Sequence, residues 1–174
     1  HWVLSVDCHR MYALIRSFLF LFSPEKAHGL AIFLLECVGR IPGGRWMLQS
    51  LYQPRNRHRI ELFGCSFNHP FGLAAGFDKN AQYLDSLENL GFAFIEVGSV
   101  TAESRSGNPQ PRLFRLKSEQ GIINRMGLNN EGSAHIAERL SQRENRIPIF
   151  VNIAKTADSS IEGQAAIDDY CQTL

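Results

Sequence analysis

Phe92-Ala93-Phe94-Ile95-Glu96-Val97-Gly98-Ser99-Val100 is the stretch on which the fold turns. Its near-continuous run of Phe, Ile and Val lacks the apolar–polar alternation of a strand with one wet face. A strand of this kind is covered on both sides and belongs to a parallel sheet flanked by helices. The flanking sequence repeats the beat. Upstream, Gly72-Leu73-Ala74-Ala75 reads as a short apolar strand, and residues 81–90 as a helix closed by Gly91. Downstream, a helix is expected over residues 131–142, a third strand over 147–153 and a third helix over 161–172. Alternating strand and helix leaves a doubly wound sheet or a (β/α)8 barrel. No Gly-x-Gly-x-x-Gly follows the first strand, which counts against a dinucleotide fold. Residues 101–130, carrying Gly107, Pro109 and Pro111, read as a long irregular stretch.

Ahead of this core the character differs. Residues 59–63 and 65–67 form two short strands around Gly64, a β-hairpin. Residues 12–22 read as a short helix with Leu14, Phe18, Leu21 and Phe22 on one side. Ser23 is a candidate N-cap, and Pro24 takes the first helical position, where its missing N–H costs nothing. The helix that follows carries Leu30, Phe33, Leu34, Cys37, Val38 and Ile41 on one face. Ile32 and Leu35 lie off that face, and Gly39 with Pro42-Gly43-Gly44 ends the helix. Two readings stand side by side: a hairpin packed on its own core, or an amphipathic hairpin that dips into a membrane surface. Its polar face is sparsely basic, with Arg16, Lys26, Arg40 and Arg45.

The apolar runs 17–22 and 30–35 are far short of the roughly 20 residues that cross a bilayer. No small-residue cleavage site follows them, so a secretory signal is not expected. Residues 1–10 precede Met11, a candidate start, and form an extension of unclear origin. The 174 residues are 44% hydrophobic and 20% charged, with Lys+Arg 18 against Asp+Glu 17 and a net charge of +1. That balance gives no electrostatic support for nucleic-acid binding. Cys8, Cys37, Cys65 and Cys171 form no Cys-x-x-Cys pair, so buried or half-buried thiols in a reducing compartment are expected and no metal site.

In parallel α/β folds the working residues stand at the C-terminal ends of strands. After the first strand comes Ala74-Ala75-Gly76-Phe77-Asp78-Lys79, small residues that let a flat ring approach the backbone, with a cation beside them. Ser99 brings a hydroxyl to the end of the second strand, and Asn152 an amide to the end of the third. Singly, each has a plainer explanation: tight packing, a solvated lysine, a closed turn. Three polar groups on three successive strand ends point to a site. The run Asn124-Arg125-Met126-Gly127-Leu128-Asn129-Asn130 suits a binding loop better than a helix, although turn chemistry alone would also explain it.

Four motifs now stand in order: Gly72-Leu73-Ala74-Ala75-Gly76-Phe77-Asp78-Lys79, Glu96-Val97-Gly98-Ser99-Val100-Thr101, Pro111-Arg112-Leu113-Phe114-Arg115-Leu116 and the asparagine run 124–130. Together they resemble the class 2, quinone-dependent dihydroorotate dehydrogenases, from Met11 to about Asp158. The hairpin with Ser23-Pro24-Glu25-Lys26-Ala27-His28 is what separates that class from its soluble relatives. The resemblance implies an α/β fold: an N-terminal helical hairpin over residues 11–45, a linker and barrel-bottom β-hairpin over 46–70, and an FMN-binding (β/α)8 TIM barrel from 71 onward. About the first three strand–helix units of that barrel fall within 71–174. It implies oxidation of dihydroorotate to orotate in pyrimidine biosynthesis, with FMN as hydride acceptor and ubiquinone or a related quinone as final acceptor. Ala75, Gly76, Phe77, Asp78, Lys79, Ser99 and Asn152 would hold FMN. Lys79, Asn124, Arg125, Met126, Gly127 and Leu128 would meet the substrate, and His28 and Arg115 the quinone. The protein would sit peripherally on the cytoplasmic face of a bacterial inner membrane.

Some positions depart from the pattern. Ser99 stands where Thr is commoner, Leu128 where Phe is usual, and Ala154-Lys155-Thr156 where Gly-Lys-Asn is usual. Residues 157–170 look longer than the family's pattern. The stretch 71–174 is also much shorter than the roughly 250 residues of a full barrel. The family's serine base follows the fourth strand, so no catalytic base is expected here and residues 1–174 alone are expected to be inactive. The alternatives are a non-catalytic barrel fragment and another FMN-dependent dihydropyrimidine-type oxidoreductase.

Overall fold

A computed structural model describes residues 12–54, 58–144 and 146–174. The extension 1–10 lies outside the described residues. The chain divides into two compact units, one taking residues up to Leu35 together with Pro109–Arg125, the other Glu36–Asn108 together with Met126–Leu174.

In the first unit, residues 12–19 are helical (α1) and Pro24 opens α2, Pro24–Arg40, whose residues from Glu36 onward belong to the second unit. The break falls where Ser23 and Pro24 predict it. The apolar side of α1 is exposed: Leu14 is 74% accessible and Leu21 78%. On α2, Phe33 and Leu34 also face solvent, while Ala27 and Ile32 are its buried residues. Ile32, set off the apolar face in the sequence reading, is thus the one large side chain of α2 that is covered. No helix among the described residues is long and apolar enough to cross a membrane.

Residues 101–130, expected from the sequence to be irregular, are not so throughout. They contain a second antiparallel hairpin, β4 (Leu113–Leu116) with β5 (Gly121–Asn124), in the register Leu113↔Asn124 to Leu116↔Gly121. Each strand has four residues, too few to show a period, and only their pairing makes them strands. Arg112 clamps the entry by pairing with Glu25 at 2.8 Å.

The second unit carries the parallel sheet. β3 (Ile95–Val100) pairs in parallel with β6 (Ile149–Ile153), and Leu73 bridges to Ile95 on the other side of β3. The expected strand at 72–75 is therefore reduced to one bridge. β3 is the covered strand: Ile95, Val97 and Val100 are buried with Leu84, Leu87 and Ile136. β6 departs from expectation, because Val151 is 43% exposed. At the N-terminal ends, Phe67, Phe94 and Phe150 form an aromatic cluster with ring centroids 5.6–6.2 Å apart.

Between Leu73 and β3 the expected helix 81–90 shortens to α4 (Leu84–Leu87) and a 3-10 turn, Glu88–Leu90. The cause is local. Asp78 accepts the N–H groups of Gln82 and Tyr83, and Ala81 takes φ 55°, so residues 78–83 form a turn that a helix cannot enter. The helix expected over 131–142 is α5 (Ser133–Ser141), and that over 161–172 is α6 (Gln164–Thr173). The hairpin around Gly64 is β1 (Ile60–Leu62) with β2 (Cys65–Phe67). One helix was missed: α3, Gly44–Tyr52, lies in the segment read as linker. A Cβ on Gly44 would sit 1.8 Å from the Val38 carbonyl oxygen, so the glycine read as a stop is the close-packed start of a new helix.

Candidate functional site

Three strand ends meet in the second unit. The backbone after Leu73 is laid against β3: Glu96 N–H donates to Leu73 O at 2.8 Å, and Gly76 N–H to Gly98 O at 2.8 Å. Gly98 N–H reaches Asp78 O at 3.2 Å. These bonds fix residues 73–78 beside the end of β3 despite the loss of a regular strand.

Gly98 sits at φ 111°, and a Cβ there would lie 2.4 Å from the Asn152 carbonyl oxygen, so β3 and β6 close to this distance only over a glycine. The register then slips. Gly98 pairs with Asn152 and Val100 with Ile153, which leaves Ser99 as a bulge. A bulge re-aims its side chain. Here the Ser99 hydroxyl donates to Asn152 Oδ1 at 2.5 Å. Asn152 Nδ2 donates to Glu96 Oε1 at 3.0 Å, and Ala75 N–H approaches Glu96 Oε2 at 3.4 Å. Ser99, Asn152 and Glu96 thus form one chain of bonds across two strands, anchored on the end of the first.

Glu96 was not singled out as a site residue. A lone carboxylate inside an apolar strand is the signal that would have found it, since a half-buried charge requires partners.

Lys79 Nζ donates to Asn129 Oδ1 at 2.6 Å, which ties the first strand end to the asparagine run. That run is held by its last residue, Asn130, to which the sequence assigned no contact of its own. Its Oδ1 accepts Gly132 N–H at 2.9 Å and Thr101 N–H at 3.3 Å. Its Nδ2 donates to Thr101 Oγ1 and to Leu128 O, both at 2.8 Å. The last bond fixes the backbone of Leu128, which stands at φ 52°. Asp78 is buried with both carboxylate oxygens committed to backbone N–H groups at 2.9 and 2.8 Å. Beside it, burial first, and then the negative charges of Asp78, Glu36 and Glu131, hold the Tyr83 phenol above its ordinary pKa of 10.0.

At the end of β6 stands Lys155, the middle residue of Ala154-Lys155-Thr156. Its Nζ donates to the carbonyls of Thr156, Asp158 and Ile161 at 2.8–3.0 Å and organises the loop that follows. Hydrogen bonds from the Ser160 hydroxyl and N–H lower the pKa of Asp158 in the same loop.

The structure therefore brings Ala75, Gly76, Phe77, Asp78, Lys79, Ser99, Asn152, Met126, Gly127 and Leu128 into one unit. Asn124, Arg125, His28 and Arg115 belong to the other. There Arg115 donates to Phe22 O at 2.6 Å, stacks 4.5 Å from the Phe20 ring centroid, and lines a cleft of about 630 Å³ with Tyr12, Arg16 and Ile122. His28, half-buried on α2, is not part of that lining. Asn124 closes β5, and the Arg125 guanidinium lies 5.5 Å from the Phe114 ring centroid.

Known proteins match both the sequence and the arrangement. The family described as "Dihydroorotate dehydrogenase" matches residues 58–174. A curated relative from Acinetobacter baylyi, named dihydroorotate dehydrogenase (quinone), is 42% identical over 160 residues, covering 92% of this chain and 45% of the relative. One of the same name from Gloeobacter violaceus is 44% identical over 160 residues with the same coverage. The chain thus spans about half the length of the curated relatives it matches. Among solved structures, ligand-free DHODH from Eimeria tenella superimposes with a TM-score of 0.62 at 34% identity, covering 84% of this chain and 40% of that one. The same protein in complex with ferulenol gives 0.58 over 76% of this chain and 36% of that one. With its parallel strands and their polar ends all inside the matched residues, the chain belongs to the dihydroorotate dehydrogenase family.

Proposed function

We propose that the protein carrying this chain oxidises dihydroorotate to orotate, with FMN as the hydride acceptor and a quinone as the final electron acceptor. One observation carries the reading: the Ser99 hydroxyl and the Asn152 amide, bonded to each other at the ends of two paired parallel strands, share one unit with the Lys79 ammonium, which follows the Leu73 bridge and is tied to Asn129. The residues fit FMN. Gly76, at φ 100°, has open space where a Cβ would stand, so a flat ring can approach its backbone closely. FMN, when bound, supplies the hydride acceptor that dihydroorotate needs at C6 and hands two electrons on to quinone.

The chain's own residues bind and orient. Lys79 offers positive charge to the anionic carboxylate of the substrate and to negative charge that accumulates during reduction. Ser99 and Asn152 present hydrogen-bonding groups at fixed positions, so no reorganisation is needed as charge moves. Met126, Gly127 and Leu128, with Asn124 and Arg125, are assigned to the substrate, and Ala75 to Lys79 to the cofactor. The C5 proton leaves to a base outside these residues.

We assign 71–174 to the first strand–helix units of a (β/α)8 barrel, 46–70 to its base and 11–45 to a hairpin that meets quinone and membrane. The exposed Leu14, Phe18 and Leu21 support peripheral attachment, placed at the cytoplasmic face of a bacterial inner membrane. His28 and Arg115 are assigned to the quinone end. The test is the protein carrying this chain, assayed for bound flavin and for quinone-dependent orotate formation, beside its Lys79→Ala variant. A yellow protein whose turnover falls by at least about 100-fold in the variant is expected, the size typical of losing one charge-stabilising group. Colourless protein, or a variant with unchanged turnover, would remove the assignment.

A further inference from the structure

We propose that Glu96 is a positioning residue that sets the orientation of the Asn152 amide, and through it the face presented to FMN. The inference rests on the reading that Asn152 and Ser99 meet the cofactor. An amide side chain can turn over and exchange its donor and acceptor ends, and only its partners choose between the two states. Both ends of Asn152 are chosen here. A carboxylate accepts only, so Glu96 Oε1 at 3.0 Å demands the Nδ2 end. The Ser99 hydroxyl, donating at 2.5 Å, occupies the Oδ1 end. Turned over, the amide would set oxygen against carboxylate.

Glu96 does this from the second position of β3, between Ile95 and Val97, which are both fully buried, so its backbone is held against shifting to suit another partner. Its second oxygen faces Ala75 N–H at 3.4 Å, which couples the amide to the strand end assigned to FMN. Two of the three side chains in this chain of bonds are assigned to the cofactor, and the third has the role of holding them. A hydrophobic strand would be more stable with an aliphatic residue at this place, since a half-buried carboxylate must be partnered to be tolerated. What the carboxylate contributes is direction.

The test uses the protein carrying this chain, with FMN affinity measured by quenching of flavin fluorescence and the visible flavin band recorded for each variant. Glu96→Ala frees the amide to turn over, and FMN affinity should fall about tenfold, as expected when one charge-assisted hydrogen bond is lost. Glu96→Gln can keep its oxygen on Nδ2 only by turning its NH2 onto Ala75 N–H, so an intermediate loss of about threefold is expected. Asn152→Ala should weaken FMN binding by a similar factor, and Glu96→Ala added to it should change affinity by less than about twofold, because nothing remains to be oriented. Should Glu96→Ala fail to fold, Glu96→Asp, which keeps the charge but falls short of Nδ2, takes its place with the same tenfold expectation. Parent-like affinity in Glu96→Ala or Glu96→Asp, beside a weakened Asn152→Ala, would overturn the positioning role and leave the cofactor reading standing. Equal, independent losses in the double variant would also overturn it. Parent-like FMN binding in both Asn152→Ala and Ser99→Ala would instead remove the cofactor reading itself, and the proposal with it.

Discussion

Replacing Asp78 by alanine should destabilise the protein carrying this chain by about 3–5 kcal/mol. Asp78 is only 1% exposed, and each carboxylate oxygen accepts one backbone N–H, from Gln82 at 2.9 Å and Tyr83 at 2.8 Å. A hydrogen bond to a charged group contributes about 1.5–3 kcal/mol, and a buried donor left without a partner loses a comparable amount. The two bonds share one carboxylate, so their effects add incompletely. Asp78→Asn is the informative companion. It is isosteric and keeps one acceptor, but its NH2 faces an N–H, so about half the alanine effect is expected. Unfolding in urea followed by far-UV circular dichroism at neutral pH reads both. Against a total stability of about 5–15 kcal/mol the alanine shift is large. A change of less than about 1 kcal/mol in Asp78→Ala would refute the reasoning, because it would mean that the turn 78–83 holds without its carboxylate.

Gly98→Ala should cost about 2 kcal/mol or more, from a positive φ disfavoured for L residues and a Cβ 2.4 Å from a backbone oxygen, with lowered thermal stability as the measure. Asn130→Ala breaks four hydrogen bonds around Thr101, Leu128 and Gly132, so about 2–4 kcal/mol is expected, and amide exchange at Gly132 should accelerate. The raised phenol of Tyr83 binds its proton more tightly in the folded than in the unfolded chain. Its contribution is therefore intact below pH 10.0 and is lost as pH rises through the folded-state pKa; ultraviolet titration should show one late phenol, moved earlier by Asp78→Asn. Glu25→Gln should destabilise the first unit by about 1–3 kcal/mol with little salt dependence, because Arg112 is 11% exposed and poorly screened.

Much of this was legible in the chain itself. The apolar run 92–100 demanded a covered parallel strand, and β3 is one, because burying both faces of a strand leaves no position for alternation. Pro24 announced the start of α2, because a missing N–H and a fixed φ act within one turn. Ser99 and Asn152 were readable for the same reason, because they stand on strands whose limits the sequence marks, whereas Lys79 follows a segment that keeps only one bridge of its expected strand. What the sequence could not carry depends on partners far along the chain. β4 and β5 are strands only because they pair with each other, and α3 is a helix packed on a turn at Gly91, where a Cβ would meet Tyr52 O at 2.6 Å. The helix after Lys79 lost its first turn because a carboxylate claimed its N–H groups. Glu96 looked like an interruption of an apolar strand until Asn152, 56 positions away, was seen to donate to it. Local periodicity and capping are written in neighbouring residues, whereas a hydrogen bond between side chains on separate strands exists only once the sheet has set its register.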